Sequence, residues 1–121
     1  MVSQWNEEIT EGLAQGALAT FSDCGVAADH VTRWNVPGSF ELVYGCQRMM
    51  AKHPEIDAVI AIGNVIQGET KHFDYVCSGA TQGIMTDQEN QMLLEMLPTF
   101  DDWALCKVRL RFRLICCLLT P

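Results

Sequence analysis

The sequence predicts an α/β fold, a three-layer α-β-α sandwich with a central, mostly parallel sheet, formed by one domain over residues 1–121. Three observations predict it. Residues 58–62 (A-V-I-A-I) form a continuous apolar run, the pattern of a strand buried on both faces. After His72 the apolar period becomes helical, with Phe73, Val76, Cys77, Ala80 and Ile84 on one stripe. Strand-like and helix-like stretches also alternate through the first two thirds of the chain with short connections. That order, β-α-β-α-β-α, suits a parallel sheet flanked by helices.

Taken in order, residues 1–4 read as the end of a strand, with Trp5 at its carboxyl end. Asn6 is the expected N-cap of the first helix, and Glu7 and Glu8 suit the positive end of its dipole. Ile9, Leu13, Ala17, Leu18 and Phe21 form its expected apolar face, and Gly25 is the expected C′ residue. Residues 31–36 read as a short strand left sharply at Pro37-Gly38. A second helix is expected from Ser39 or Phe40, with Phe40, Val43, Tyr44 and Met50 towards the sheet. Pro54 disfavours a helical His53 and ends it.

The central strand leads into a loop bracketed by Gly63 and Gly68, which ends in Glu69, Thr70, Lys71 and His72 at the next helix start. Open α/β sheets bind ligands at the carboxyl ends of their strands, and helix-start N–H groups favour anions such as phosphate. A histidine placed there can transfer protons near neutral pH. An ordinary polar helix cap fits the same spacing.

The literal residues narrow this. G-N-V-I-Q-G-E-T-K-H-F-D-Y-V-C (63–77) resembles the signature of the 6,7-dimethyl-8-ribityllumazine synthase family, and V-S-Q-W-N-E-E-I-T (2–10) and V-P-G-S-F-E-L (36–42) agree in order and spacing. The resemblance covers residues 1 to about 85. It implies a flavodoxin-like sheet and the condensation of 5-amino-6-(D-ribitylamino)uracil with 3,4-dihydroxy-2-butanone 4-phosphate, a step of riboflavin biosynthesis that needs no metal or redox cofactor. It also implies a cytoplasmic homo-oligomer, a pentamer or larger shell with active sites shared between neighbours.

By resemblance, His72 is the proton-transfer residue and Trp5 the aromatic that stacks on the pyrimidine; a core Trp under the first helix is the alternative. Ser39, Phe40 and Glu41 match the segment holding the ribityl chain. Asn64, Val65 and Ile66 match the pyrimidine lining, with loop packing as the other reading. Glu69 and Thr70 match the phosphate-proximal pair, Glu69 acting through its N–H with its side chain outward. Lys71 reads as a solvated charge, and His30 and His53 as surface residues. A non-catalytic pyrimidine-binding or assembly module built on the same fold is the alternative function, and an unrelated phosphate-binding domain a third.

The resemblance implies apolar residues ahead of Met1, so a sheet truncated at its amino end is expected. Beyond residue 85 the text changes. Residues 86–97 can extend the third helix as far as Pro98. Val108, Leu110, Phe112 and Leu114 alternate with Arg109, Arg111 and Arg113, a period-2 strand with one basic face. The terminal L-I-C-C-L-L-T-P faintly resembles the next family strand. The family's phosphate-binding arginine has no readable match, so the tail is expected to be altered, the basic face to lie in solvent at a sheet edge or outside the family position, phosphate affinity to be weak, and turnover to be little or none.

Composition excludes other classes. The net charge of -7 argues against a general nucleic-acid binder. The six cysteines form no C-x-x-C pair and read as buried thiols, not as disulfides or a zinc site. The apolar run at residues 114–119 falls far short of the ~20 residues of a membrane span.

Overall fold

The computed structural model describes residues 1–90 and the strand at residues 114–119, with side chains through residue 86. Elements follow the order β1 (Val2–Ser3), α1 (Glu7–Asp23), β2 (Asn35–Val36), α2 (Leu42–Lys52), β3 (Val59–Asn64), α3 (His72–Asn90) and β4 (Leu114–Leu119). The sheet order is β2-β1-β3-β4, and every pairing is parallel. The register sets Val2 beside Asn35 on one side and Ile62 on the other. The strands therefore end at one edge of the sheet, where β1, β2 and β3 each hand the chain to a loop or helix.

Alternate residues of β3 serve two cores, which is why its sequence is apolar throughout. Val59 and Ala61 join Met1, Val36, Leu42, Cys46, Met49, Met50 and Ile84, from α2, α3 and the neighbouring strands. Ile60 and Ile62 join Val2 and the α1 residues Leu13, Ala14 and Ala17. Helix α1 thus covers one face and α2 and α3 the other, the three layers that the alternating pattern predicts.

Several local expectations are corrected. Asn6 stands at the N-cap position of α1, but its backbone is left-handed (φ 58°, ψ 51°) and its side chain makes no cap bond. A capping side chain requires an extended backbone there. The carbonyl of Asn6 instead accepts the N–H groups of Ile9 and Thr10 at 3.0 and 3.1 Å. The buried positions of α1 are Thr10 and Ala14, flanked by half-buried Leu13, Ala17, Leu18 and Phe21, while Ile9 is exposed. Gly25 ends the helix as expected, at φ 79°, with the Val26 N–H returning to the Phe21 carbonyl at 2.9 Å.

Helix α2 starts at Leu42, after a turn through residues 38–41, because the Ser39 hydroxyl is committed elsewhere. Its buried stripe is Leu42, Gly45, Cys46, Met49 and Met50. Phe40 and Tyr44, expected against the sheet, are exposed, and Val43 is half-buried. The helix stops at Lys52, before Pro54, as predicted. Residues 31–33 lie outside the short strand β2, and a single 3₁₀ turn at Ala28–His30 precedes them. His30 is exposed, whereas His53 is half-buried, edge-on to Trp34 with ring centroids 5.6 Å apart.

Cys46 is buried and Cys77 half-buried, but Cys24 is exposed, so only part of the thiol expectation holds; none of these three is in a disulfide. Strand β4 pairs in parallel with β3 from Val59↔Leu114 to Asn64↔Leu119. The apolar run 114–119 is therefore the next strand of the sheet. The basic alternation through Arg109, Arg111 and Arg113, the helix end at Pro98, Lys107 and Cys106 lie outside the described residues.

Candidate active site

The expected site residues follow three adjacent strands, and the backbone joins their segments directly. Past β1, the Trp5 N–H donates to the Pro37 carbonyl at 3.0 Å, one step beyond the Gln4 N–H to Val36 carbonyl bond of 2.8 Å. The first loop is thereby fixed against the second. The Ser39 hydroxyl donates to the Asn64 carbonyl at 2.9 Å, fixing the second loop against the third. Both residues are buried, Ser39 at 5% and Asn64 at 4% exposure.

This latch needs a glycine. A Cβ on Gly63 would stand 2.7 Å from both Leu42 Cδ1 and Ser39 Oγ, closer than real contacts allow. Gly63 therefore lets the α2 entry and the Ser39 loop lie directly on the end of β3.

Around this joined base the aromatic and polar side chains stand open. Trp5 is 70% exposed and Phe40 55% exposed, which removes the reading of Trp5 as a core residue under α1. Phe40 leans on α3, where a Cβ on Gly79 would meet its ring at 2.6 Å. Val65 is half-buried, and Glu41, Ile66, Glu69, Thr70, Lys71 and His72 are exposed. The Thr70 hydroxyl accepts the His72 N–H at 3.4 Å, a long bond that ties loop to helix start. Burial, with Asp74 adding to it, pushes the Cys77 thiol up, so this neighbour stays a thiol and is a poor nucleophile. Among the described residues, no group of three or more His, Cys, Asp or Glu residues is placed to hold a metal ion.

Sequence reasoning missed one feature of this edge. Ser3 Oγ and Asn6 Nδ2 are buried without a hydrogen-bond partner among the described residues, on either side of Trp5. Buried polar atoms are nearly always paired, so these two are exceptions among the described residues. The signal was present in W-N directly after a strand, because Asn is among the few residues that tolerate a left-handed backbone.

A cavity of about 810 Å³ lies elsewhere, at the opposite end of the strands, lined by Val31, Arg33, Ala58 and Ile60 among others.

Fold and edge together define a parallel α/β protein whose candidate site residues lie at the carboxyl ends of β1, β2 and β3. The family described as 6,7-dimethyl-8-ribityllumazine synthase matches residues 1–93. Proteins of that name from Christiangramia forsetii and Flavobacterium johnsoniae are 62% and 61% identical to this chain over 84 residues, covering 69% of it and 50% and 44% of their own lengths. The corresponding protein of Porphyromonas gingivalis is 52% identical over 83 residues, 69% of this chain and 51% of its own. This chain belongs to the lumazine synthase family. It spans about half the length of the curated relatives it matches.

Proposed function

We propose that the strand-end edge of this chain binds 5-amino-6-(D-ribitylamino)uracil and serves its condensation with 3,4-dihydroxy-2-butanone 4-phosphate to 6,7-dimethyl-8-ribityllumazine. The observation that carries the reading is the convergence of W-N, S-F-E and N-V-I on one hydrogen-bonded base, with Trp5 open above it. The indole face of Trp5 offers a stacking surface for the flat pyrimidine. Backbone groups of Asn64, Val65 and Ile66 read its ring edge, and Asn6 Nδ2 adds a donor with no acceptor among the described residues. Ser39, Phe40 and Glu41 hold the ribityl chain, Glu41 accepting from its hydroxyls. Such bonds to a charged group contribute ~1.5–3 kcal/mol each.

His72, at the mouth of α3, accepts a proton as the substrate amine attacks the ketone and returns one as water or phosphate leaves. The Glu69 and Thr70 N–H groups and the Thr70 hydroxyl take the phosphate, next to the positive end of the helix. Holding two reactants together supplies much of the remaining acceleration. The match to a longer family also supports a homo-oligomeric, cytoplasmic enzyme. Among the described residues, no helix is long and apolar enough to cross a membrane.

The experiment mixes both substrates with the protein, follows the lumazine chromophore, and measures binding of the pyrimidine alone in parallel. Chromophore formation that depends on His72 supports the enzyme. Binding without turnover selects the non-catalytic pyrimidine-binding module. Absence of both sinks the proposal.

A further inference from the structure

Among the described residues, one non-glycine residue has a positive φ, and it follows Trp5 directly. Asn6 stands at φ 58° and ψ 51°, in the left-handed region, between the end of β1 and the first turn of α1. An outlier of this kind persists only where the structure around it over-determines the backbone.

Both sides of Asn6 are tied. Ahead of it, hydrogen bonding to the β2 side runs on past β1. The N–H groups of Val2, Gln4 and Trp5 donate to the carbonyls of Trp34, Val36 and Pro37 at 2.9, 2.8 and 3.0 Å. After it α1 begins at once, with the Asn6 carbonyl accepting from Ile9 and Thr10. That helix is held to the sheet by Ala14, packed with Val2 and Ile62, and by Leu13 and Ala17, while Thr10 is fully buried. A single residue is left to turn the chain from strand to helix. The Asn6 side chain makes no cap bond, and its Nδ2 makes no hydrogen bond among the described residues. The turn is therefore a property of the backbone.

The left-handed region brings Cβ too close to the following carbonyl oxygen. Asn tolerates it better than other residues with a side chain, and glycine meets no such clash. Asn6→Ala therefore presses the chain to leave that region, and one of the two anchors yields. Helix α1 is anchored through buried side chains, whereas the Trp5 end is held by its N–H to Pro37 and carries a largely exposed indole. The Trp5 end is the weaker anchor.

We propose that Asn6 is a positioning residue, whose left-handed backbone holds Trp5 in register with Pro37 and so fixes where the open indole stands at the strand-end edge. Its consequence for binding rests on the pyrimidine site proposed above; the backbone effect does not. Handedness is the property required, so Asn6→Gly and Asn6→Ala behave differently although both lack the amide.

The test compares those two variants, which differ by one methyl group, so that loss of Nδ2 is common to both. Amide hydrogen exchange follows the Trp5 N–H, and calorimetry follows binding of 5-amino-6-(D-ribitylamino)uracil. The Trp5 N–H is expected to exchange at least tenfold faster in Asn6→Ala than in Asn6→Gly, with the N–H groups of α1 protected alike in both. Asn6→Asp, which tolerates the left-handed region but lacks the amide, is expected to keep the slow exchange of Asn6→Gly. The pyrimidine is expected to bind Asn6→Ala at least fivefold more weakly than Asn6→Gly. That difference is expected to fall below twofold when both changes are made in Trp5→Ala, because a residue acting through Trp5 then has nothing to act on. Equal Trp5 exchange in the Gly and Ala variants, fast exchange in Asn6→Asp, or an affinity difference that persists in Trp5→Ala would overturn the proposal. Loss of α1 protection in Asn6→Ala would assign the handedness to the helix and overturn it as well. A native chain that binds no pyrimidine removes the site reading alone, and the exchange comparison still decides the backbone claim.

Discussion

His72 and Glu11 illustrate opposite uses of a titratable side chain. His72 is exposed at the start of α3, and its N–H donates to the Thr70 hydroxyl. Its replacement leaves no buried hole. His72→Ala is expected to slow lumazine formation by about 10², the lower end of what acid–base assistance provides, with pyrimidine affinity and melting temperature nearly unchanged. Turnover unaltered across a pH series would remove His72 from the chemistry.

Glu11 works in the scaffold. Its carboxylate takes the Arg33 guanidinium on both oxygens, at 2.7 and 3.1 Å, joining α1 to the approach of β2. Arg33, with help from Gln15, holds the Glu11 pKa down at about 2. A carboxyl lowered on folding stabilises the fold above its unfolded pKa, near 4.5, and that contribution is lost as pH falls towards 2. The pair is exposed, so solvent screens it. Glu11→Gln is expected to flatten the melting temperature between pH 4.5 and 2 and to lower it slightly at pH 7. A profile that still falls as steeply over that window would place the acid sensitivity elsewhere.

Among the elements, the end of β3 matters most to the site, because one residue there serves packing and loop geometry together. Gly63→Ala drives a methyl group into Leu42 and Ser39, both buried. We expect a stability loss of ~1–3 kcal/mol, typical of overpacking, and a larger proportional loss of pyrimidine affinity as the Ser39–Asn64 bond opens. Denaturant melts and pyrimidine titration check both; loss of stability with intact affinity would show that the latch is not needed for the site. The α2 entry also shows where sequence reasoning erred. The buried stripe is Leu42, Gly45, Cys46, Met49 and Met50, and its Gly and Cys are weak apolar signals in a sequence; Phe40 lies ahead of the helix and Tyr44 on its open side. Asn6 erred for a different reason: a preference for N-caps does not reveal backbone handedness.

For the molecule as a whole, the order and direction of the elements were readable, because period and punctuation are local properties. The apolar run 58–62, the turn at Pro37-Gly38 and the stop before Pro54 each correspond to a feature of the fold. The contacts between loops were not readable, since Trp5–Pro37 and Ser39–Asn64 join residues distant in sequence and depend on register. The central claim is that three strand-end segments form one pyrimidine site with Trp5 as its open stacking face. Calorimetric titration of 5-amino-6-(D-ribitylamino)uracil into the protein and into Trp5→Ala tests it most directly. The account predicts saturable binding to the native chain and at least tenfold weaker binding to the variant. It also predicts a stability change within ~0.5 kcal/mol, as for other exposed positions. No binding to the native chain, or a Trp5→Ala variant that binds equally well, would contradict it.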